Sequence, residues 1–411
     1  LAPKRLPDFT SPVILRLNNE ANDVHETKRV GTKNQPAISS PSADDMMNQL
    51  MFIAGEASGD AHAAALIAAL RQQRPDWHLF GAGGPKMQAA GMELALDLTQ
   101  HAVVGLIEVL KNYGKFKQIF EHLLAEVGRR QPAAVVLVDF PGFNLRFARA
   151  VKERFPATKV IYYISPQLWA WHASRARQIE RDVDLMLVIF PFEKTWYARH
   201  APKLRVEFVG HPFADRVGEN PQSEVRHPKC VLLLPGSRER EVAKIWPIMA
   251  TVVDRMPEAE FVAAAVDERT AAMMRHPRVR VEVGTARDWM RRATLAITAS
   301  GTATMECAFA GCPMVVVYKV NWLTYLIGRM VVTVNWLAMP NVIAGRAIVP
   351  EFIQHEACPR RIAAAAGALL EDDGKREAMR RELAAVVATL GGRGAAERAA
   401  KLILDAVSVS A

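Results

Sequence analysis

In "VLVDFPGFN", residues 136–144, an aspartate closes an apolar run. Desolvation at such a strand end raises a carboxyl pKa toward the range useful for a general base, so Asp139 is a candidate to take a proton from an attacking hydroxyl. An aspartate that only bonds its own turn is the equal alternative, with Asn144 free to cap the helix that follows. In "LLPGSRERE", 233–241, Gly236 and Ser237 permit a tight turn into a helix whose free N–H groups and positive dipole end suit a diphosphate, and Arg238 adds a fork of donors. The stretch has neither the glycine–lysine pattern of an ATPase loop nor G-x-G-x-x-G, and a turn carrying solvated charges accounts for it equally well. "ASGTATMECA", 299–308, repeats the theme: Ser300, Gly301, Thr302 and Thr304 offer hydroxyl and backbone donors, and Glu306 stands one turn on, where a ribose could donate to it. A capping box is its alternative reading. The two turns make one nucleotide site only if their strands are neighbours.

"AGEASGDAHAAAL", 54–66, brings Glu56, Asp60 and His62 within a turn and a half. Acids there repel phosphate, so a sugar or acceptor site fits better than a second nucleotide cradle, unless Ser58 or Asp60 is simply a helix cap. Trp169 and Trp171, in "YYISPQLWAWH", read as half-buried packing.

Parallel strands are what could carry these turns. From "QLMFIAG" to "VEFVGHP", short β-rich runs alternate with helical patterns at 60–73, 144–155 and 193–199, and the alternation restarts after 216–229 with "CVLLLPGS" and helices at 239–255 and 302–311. The expected fold is α/β: two Rossmann-like, doubly wound domains facing a cleft, at 47–215 and 216–385. A helical pattern over 359–406 places C-terminal helices, 386–411 among them, where they can pack back on the first domain. In such sheets ligands lie beyond the carboxyl ends of the strands, where every motif above falls.

A chain of 411 residues is long enough for two domains. Its net charge of +9 arises outside residues 1–46, which hold six basic and six acidic side chains and read as a disordered extension, with Met46 and Met47 as candidate natural starts. The basic body suits an anionic partner, but without a basic stripe interleaved with aromatics no nucleic acid is expected. Four dispersed cysteines suggest neither zinc nor disulfides and fit a reducing compartment. No unbroken apolar run is long enough to span a bilayer, and no secretory signal is read. In 101–120, however, Val104, Leu106, Ile107, Val109 and Leu110 stand beside Lys111, Lys115 and Lys117, a pattern suited to an anionic membrane surface or to an ordinary core helix.

Taken together, "GEASGD", "GGPKMQAAGME", "VGLIEVL", "DFPGFN", "SPQLWAW", "FPFEK", "VGHP", "LLPGSRERE", "ASGTATMECA" and "MPNVIAGR", spread over about residues 48–400, resemble the lipid A disaccharide synthase family of inverting GT-B glycosyltransferases. The resemblance implies transfer of 2,3-diacylglucosamine from UDP to 2,3-diacylglucosamine 1-phosphate (lipid X), by a peripheral protein on the cytoplasmic face of the Gram-negative inner membrane. By motif position it implies that Asp139 is the base and that Arg238 contacts the diphosphate. It assigns UDP-sugar binding to Gly236, Ser237, Glu241, Ser300, Gly301, Thr302, Glu306, Asn341 and Arg346, and the acceptor side to Glu56, Ser58 and Asp60. Neither cofactor nor metal is expected, and a homodimer is among the states considered. Other readings open at this point are a different GT-B UDP-sugar transferase, a UDP-sugar epimerase, and a non-catalytic UDP-binding protein that docks on membranes.

Overall fold

The computed structural model describes residues 48–98, 113–216, 227, 229–322, 325–326 and 332–408. The readings made for residues 1–46 and for Val104, Leu106, Ile107, Val109 and Leu110 lie outside the described residues. The first sheet holds β1 (Gln49–Ala54), β2 (His78–Gly83), β3 (Glu93–Asp97), β4 (Ala134–Val138), β5 (Lys159–Tyr163), β6 (Leu185–Val188) and β7 (Arg205–Phe208). The second holds β8 (Cys230–Leu234), β9 (Glu260–Ala265), β10 (Val279–Val283), β11 (Leu295–Ala299), β12 (Met314–Tyr318) and β13 (Glu351–Ile353).

Spatial order is β3-β2-β1-β4-β5-β6-β7 in one sheet and β10-β9-β8-β11-β12-β13 in the other, and the pairings are parallel. Helices cover both faces, which is why the central strands are apolar on both sides: β4, β8 and β11 are buried at every position. Successive side chains of β1 serve different cores, Leu50, Phe52 and Ala54 on one face and Met51 and Ile53 on the other.

The chain winds outward from β1 to β3 and returns to the opposite side of β1 as β4, and it does the same at β8 and β11. At each reversal two neighbouring strand ends send their connections to opposite faces, leaving a crevice between them. The registers Ala54↔Val138 and Leu234↔Thr298 show that the turns after β1 and β4 are adjacent, as are those after β8 and β11.

The chain passes between the sheets twice, near 209–215 and near 389–394, and the crossings are bound together. His211 N–H donates to Leu390 O (2.9 Å), and the Arg398 guanidinium donates to the carbonyls of Val209, Gly391, Gly392 and Arg393. Helix Ala395–Ser408 then packs on helix Ala57–Gln73 of the first domain. Ala399, Ala400 and Ile403 are fully buried there, and Lys159 Nζ donates to Ala406 O near the helix end (2.5 Å). The C-terminal helices expected over 359–406 are three, Pro359–Glu371, Asp373–Ala388 and Ala395–Ser408. Other helix boundaries differ from the sequence reading: the helices read from 60, 144 and 193 begin at Ala57, Pro141 and Pro191, the last two with proline in the first turn, and the helix read over 302–311 ends at Phe309.

Candidate active site

Four turns meet at the two crevices. After β1, Gly55 and Glu56 lead into helix Ala57–Gln73. After β4, Asp139 and Phe140 both adopt left-handed backbone (φ 49° each) before helix Pro141–Arg154. Two consecutive left-handed residues other than glycine are uncommon; aspartate tolerates this backbone better than most, whereas for phenylalanine it costs on the order of 1–3 kcal/mol. Gly55 makes room for the second of them, since a Cβ at this position would stand 2.3 Å from the Phe140 ring. That ring stacks on Phe143 at 5.8 Å.

Burial, reinforced by the charge of Glu56 and opposed by the Phe140 N–H, pushes the Asp139 carboxyl up to about 6. Because the ionised form is the one able to accept a proton, kcat/KM is expected to fall on the acid side with a midpoint near pH 6, by about tenfold per pH unit below it. A pH–rate profile flat from 7 down to 5 would contradict this.

Opposite, Arg238 precedes helix Glu239–Arg255 and reaches across the cleft, its Nη2 lying 3.3 Å from Glu56 Oε2. Its Nη1 is 4.0 Å from Glu241 Oε1, so the guanidinium stands between two carboxylates. The pair with Glu56 is open to solvent, its side chains 67% and 40% exposed, and such pairs contribute about 0–1 kcal/mol. A diphosphate can therefore displace it. Glu241 folds back to accept the Ser237 N–H (3.3 Å), and Gly236 (φ 126°) allows this, since a Cβ there would be 2.7 Å from the Glu241 carboxylate. Burial, with the charge of Glu241 added, raises the phenol of Tyr318 at the end of β12.

At the end of β11, Gly301 (φ 153°) caps helix Thr302–Phe309, and both Gly301 and Thr302 are exposed at its N-terminus. Glu306 Oε1 lies 3.5 Å from Arg287 Nη2. Ser300 uses its hydroxyl within the fold, donating to Leu337 O (3.0 Å), and Thr304 is buried with its hydroxyl on Gly301 O (2.8 Å).

Several residues singled out in the sequence make contacts within the fold. Asn341 is fully buried: its amide donates to Val349 O and Glu351 Oε1, and its Oδ1 accepts from Ile348 N and Val349 N. Arg346 pairs with Glu382. Asp60 is buried and accepts the N–H groups of Gly84, Lys86 and Met87, which caps helix Pro85–Ala89, while Ser58 in the same turn is exposed. The His62 ring lies 6.0 Å from Phe213. Asn144 does not cap its helix; its side chain turns back beneath the strand ends. The structure thus gathers Glu56, Asp139, Gly236, Ser237, Arg238 and Glu241, with Gly301 and Thr302 at the neighbouring strand end.

Sequence reasoning overlooked Phe140, Arg287, Tyr318 and Glu193. Glu193 is 1% exposed and accepts from Trp169 Nε1 (3.1 Å) and Phe190 N (3.1 Å), and burial raises its carboxyl to about 8. A glutamate three residues after the residue preceding a helix is the spacing that could have revealed it. Trp171 is half-buried, at 48% exposed, as its spacing suggests, whereas Trp169 is buried more deeply than that, at 8%. From the second domain, Thr333 binds this stretch through its N–H to Ala170 O (2.8 Å) and its hydroxyl to Trp169 O (3.0 Å).

Two doubly wound parallel-sheet domains define the GT-B class. Solved structures of similar fold include the calicheamicin glycosyltransferase CalG4, with 15% identity, a TM-score of 0.55 and coverage of 88% of this chain and 98% of its own. UDP-GlcNAc 2-epimerase from Neisseria meningitidis bound to UDP-GlcNAc is another, with 13% identity, a TM-score of 0.59 and coverage of 88% and 100%. At those identities the likeness is one of fold. The sequence narrows the class, because the lipid-A-disaccharide synthetase family model matches residues 50–406 and the chain belongs to that family. Similar proteins are the lipid-A-disaccharide synthases of Geobacter sulfurreducens, 38% identical over 385 residues (88% of this chain, 98% of that protein), and Koribacter versatilis, 40% over 381 (87% and 98%). The chain is a glycosyltransferase of lipid A disaccharide synthesis, acting on a UDP-sugar and a lipid-X-type acceptor.

Proposed function

We propose that the donor is UDP-2,3-diacylglucosamine, the acceptor is lipid X, and the anomeric carbon inverts in a single displacement. Asp139 takes the proton of the acceptor 6-hydroxyl, which attacks in line as UDP departs. Arg238, the turn 236–237 and the N-termini of helices Glu239–Arg255 and Thr302–Phe309 hold the diphosphate and stabilise the charge that develops on it. Glu306 is assigned to the ribose, and Glu56 and Ser58 to the acceptor side. Glu241 leaves the Ser237 N–H when phosphate oxygens arrive. Asn341, Ser300 and Asp60 support the turns without touching substrate, in keeping with their bonds to the protein itself, while Arg346, whose pair with Glu382 is exposed, is assigned to the UDP-sugar.

The observation that carries this reading is the pairing of Glu56 with Arg238, which joins the crevice holding the raised carboxyl of Asp139 to the one where two helices begin. We further propose that the protein sits peripherally on the cytoplasmic face of the Gram-negative inner membrane, as a homodimer. Val104, Leu106, Ile107, Val109 and Leu110 bordered by lysines, together with a net charge of +9, favour contact with anionic lipid. Among the described residues no helix is long and apolar enough to cross a membrane.

Incubation with UDP-2,3-diacylglucosamine and lipid X should yield UDP and a β-1′,6-linked disaccharide 1-phosphate, detectable by mass spectrometry. UDP binding without donor consumption would instead indicate a non-catalytic protein, and equal use of UDP-N-acetylglucosamine a different transferase.

A further inference from the structure

We infer that Tyr162 and Asn144 are positioning residues, which lock the peptide groups on both sides of Asp139 so that its carboxylate is held facing the cleft. The inference rests on the reading of Asp139 as the base. On the amino side, Asp139 N–H donates to Tyr163 O (3.0 Å), extending the β4–β5 pairing one residue past the end of β4. On the carboxyl side, the Asp139 carbonyl accepts two donors, Tyr162 Oη at 2.6 Å and Asn144 Nδ2 at 2.8 Å. Both lone pairs of that oxygen are thus occupied, and the left-handed turn can relax only by breaking these bonds. With the next residue pinned by the Phe140 ring against Gly55, the direction in which the Asp139 Cα–Cβ bond leaves the backbone is fixed.

Burial supports a dedicated role. Asn144 is 0% exposed, and its Nδ2 also faces Val138 O (3.3 Å) and Ile53 O (3.5 Å), so one amide group ties the ends of β1 and β4 together. Its Oδ1 is buried and has no hydrogen-bond partner among the described residues. An amide that leaves its acceptor unmet in the core is worth less to packing than a leucine would be. What it supplies is the N–H directed at the Asp139 carbonyl. Tyr162 is likewise 0% exposed on β5, where phenylalanine would fill the same core volume. Burial, with the charge of Asp139, drives its phenol well above its ordinary pKa and keeps it a donor.

The test is Tyr162→Phe in the full-length protein, which removes one donor and preserves the ring, with rates expressed per UDP-binding site so that only folded molecules count. The expectation is a kcat lower by about tenfold to a hundredfold, because small displacements of a reacting group have effects of that size. Donor KM and UDP affinity should stay within about twofold, as for an interaction that acts only on the chemical step. The acid limb of the pH profile should move, because the carboxyl changes its surroundings. Asn144→Ala should behave in the same way, and a lower thermal midpoint alone is no support. A kcat within about twofold of wild type and an unmoved acid limb in both variants would overturn the inference. Asp139→Asn, run alongside, separates the premise from the inference. If it is active, the base assignment fails, and the inference with it; if it is inactive while Tyr162→Phe is normal, only the positioning role fails.

Discussion

Asp139→Asn is expected to lower kcat by about 10³-fold while UDP binds within about twofold of its native affinity, since general-base groups contribute roughly 10²–10⁴-fold. Asparagine is the informative substitution. With aspartate it is among the few side chains that readily tolerate left-handed backbone, so the φ of 49° at this position is retained, whereas alanine would add backbone relaxation to the chemical loss. The amide has nearly the shape of the carboxyl but cannot take a proton. Its neutrality also removes the repulsion between Glu56 and Asp139, so the variant should melt no lower than wild type. Loss of rate with unchanged or higher thermal stability is the pattern of a group kept for chemistry at a cost in stability. Steady-state kinetics, UDP titration and thermal melting of one preparation check all three points, and a variant with near-native kcat would remove Asp139 from the reaction.

Local elements of this fold were legible where composition changes sharply. β8 and helix Glu239–Arg255 follow from five apolar residues, a Pro-Gly break and acidic residues at the helix start, and the helix was read with the boundaries it has. β3 and β13 were not read: "ELALD" carries two acids within five residues, and "EFI" is too short to show a period. What periodicity cannot convey is which parallel strands lie side by side. Asp139 follows β1 by some eighty residues, and Glu56 is 182 positions from Arg238, so the meeting of the four turns depends on topology.

The candidate site divides along the same line. Arg238, Asp139 and Glu56 were identified from residue type and place, and they converge. Asn341, Asp60 and Thr304 have equally suggestive types, but they bind backbone groups of their own fold. A short polar side chain at a strand–helix turn meets peptide N–H and C=O groups at the distances it would meet a ligand, so residue type alone does not choose between them. The unusual backbone at 139–140, on which the arrangement depends, has no sequence signal beyond the proline and glycine that follow.

The Glu56–Arg238 pair leads to a second large effect and a smaller one of opposite sign. Arg238→Ala should reduce kcat/KM by about 10²–10³-fold and weaken UDP binding, because removing a donor aimed at developing negative charge has consequences of that size. Glu56→Gln should make UDP bind more tightly, by up to about fivefold, since the guanidinium no longer has to give up a carboxylate partner in an exposed pair. The same change removes a negative charge near Asp139, whose carboxyl is then held up by burial alone, so the acid limb of the rate profile should move to lower pH. The two effects of Glu56→Gln have different origins and separate in the double variant. With Arg238 already replaced by alanine, Glu56→Gln should lose its effect on UDP affinity and keep its effect on the acid limb. Raising the salt concentration should also narrow the affinity gap between wild type and Glu56→Gln, because the pair it breaks is solvent-exposed and screened. If Glu56→Gln instead weakens UDP binding, the glutamate holds the nucleotide rather than competing with it. The turn after β1 would then belong to the donor side of the cleft.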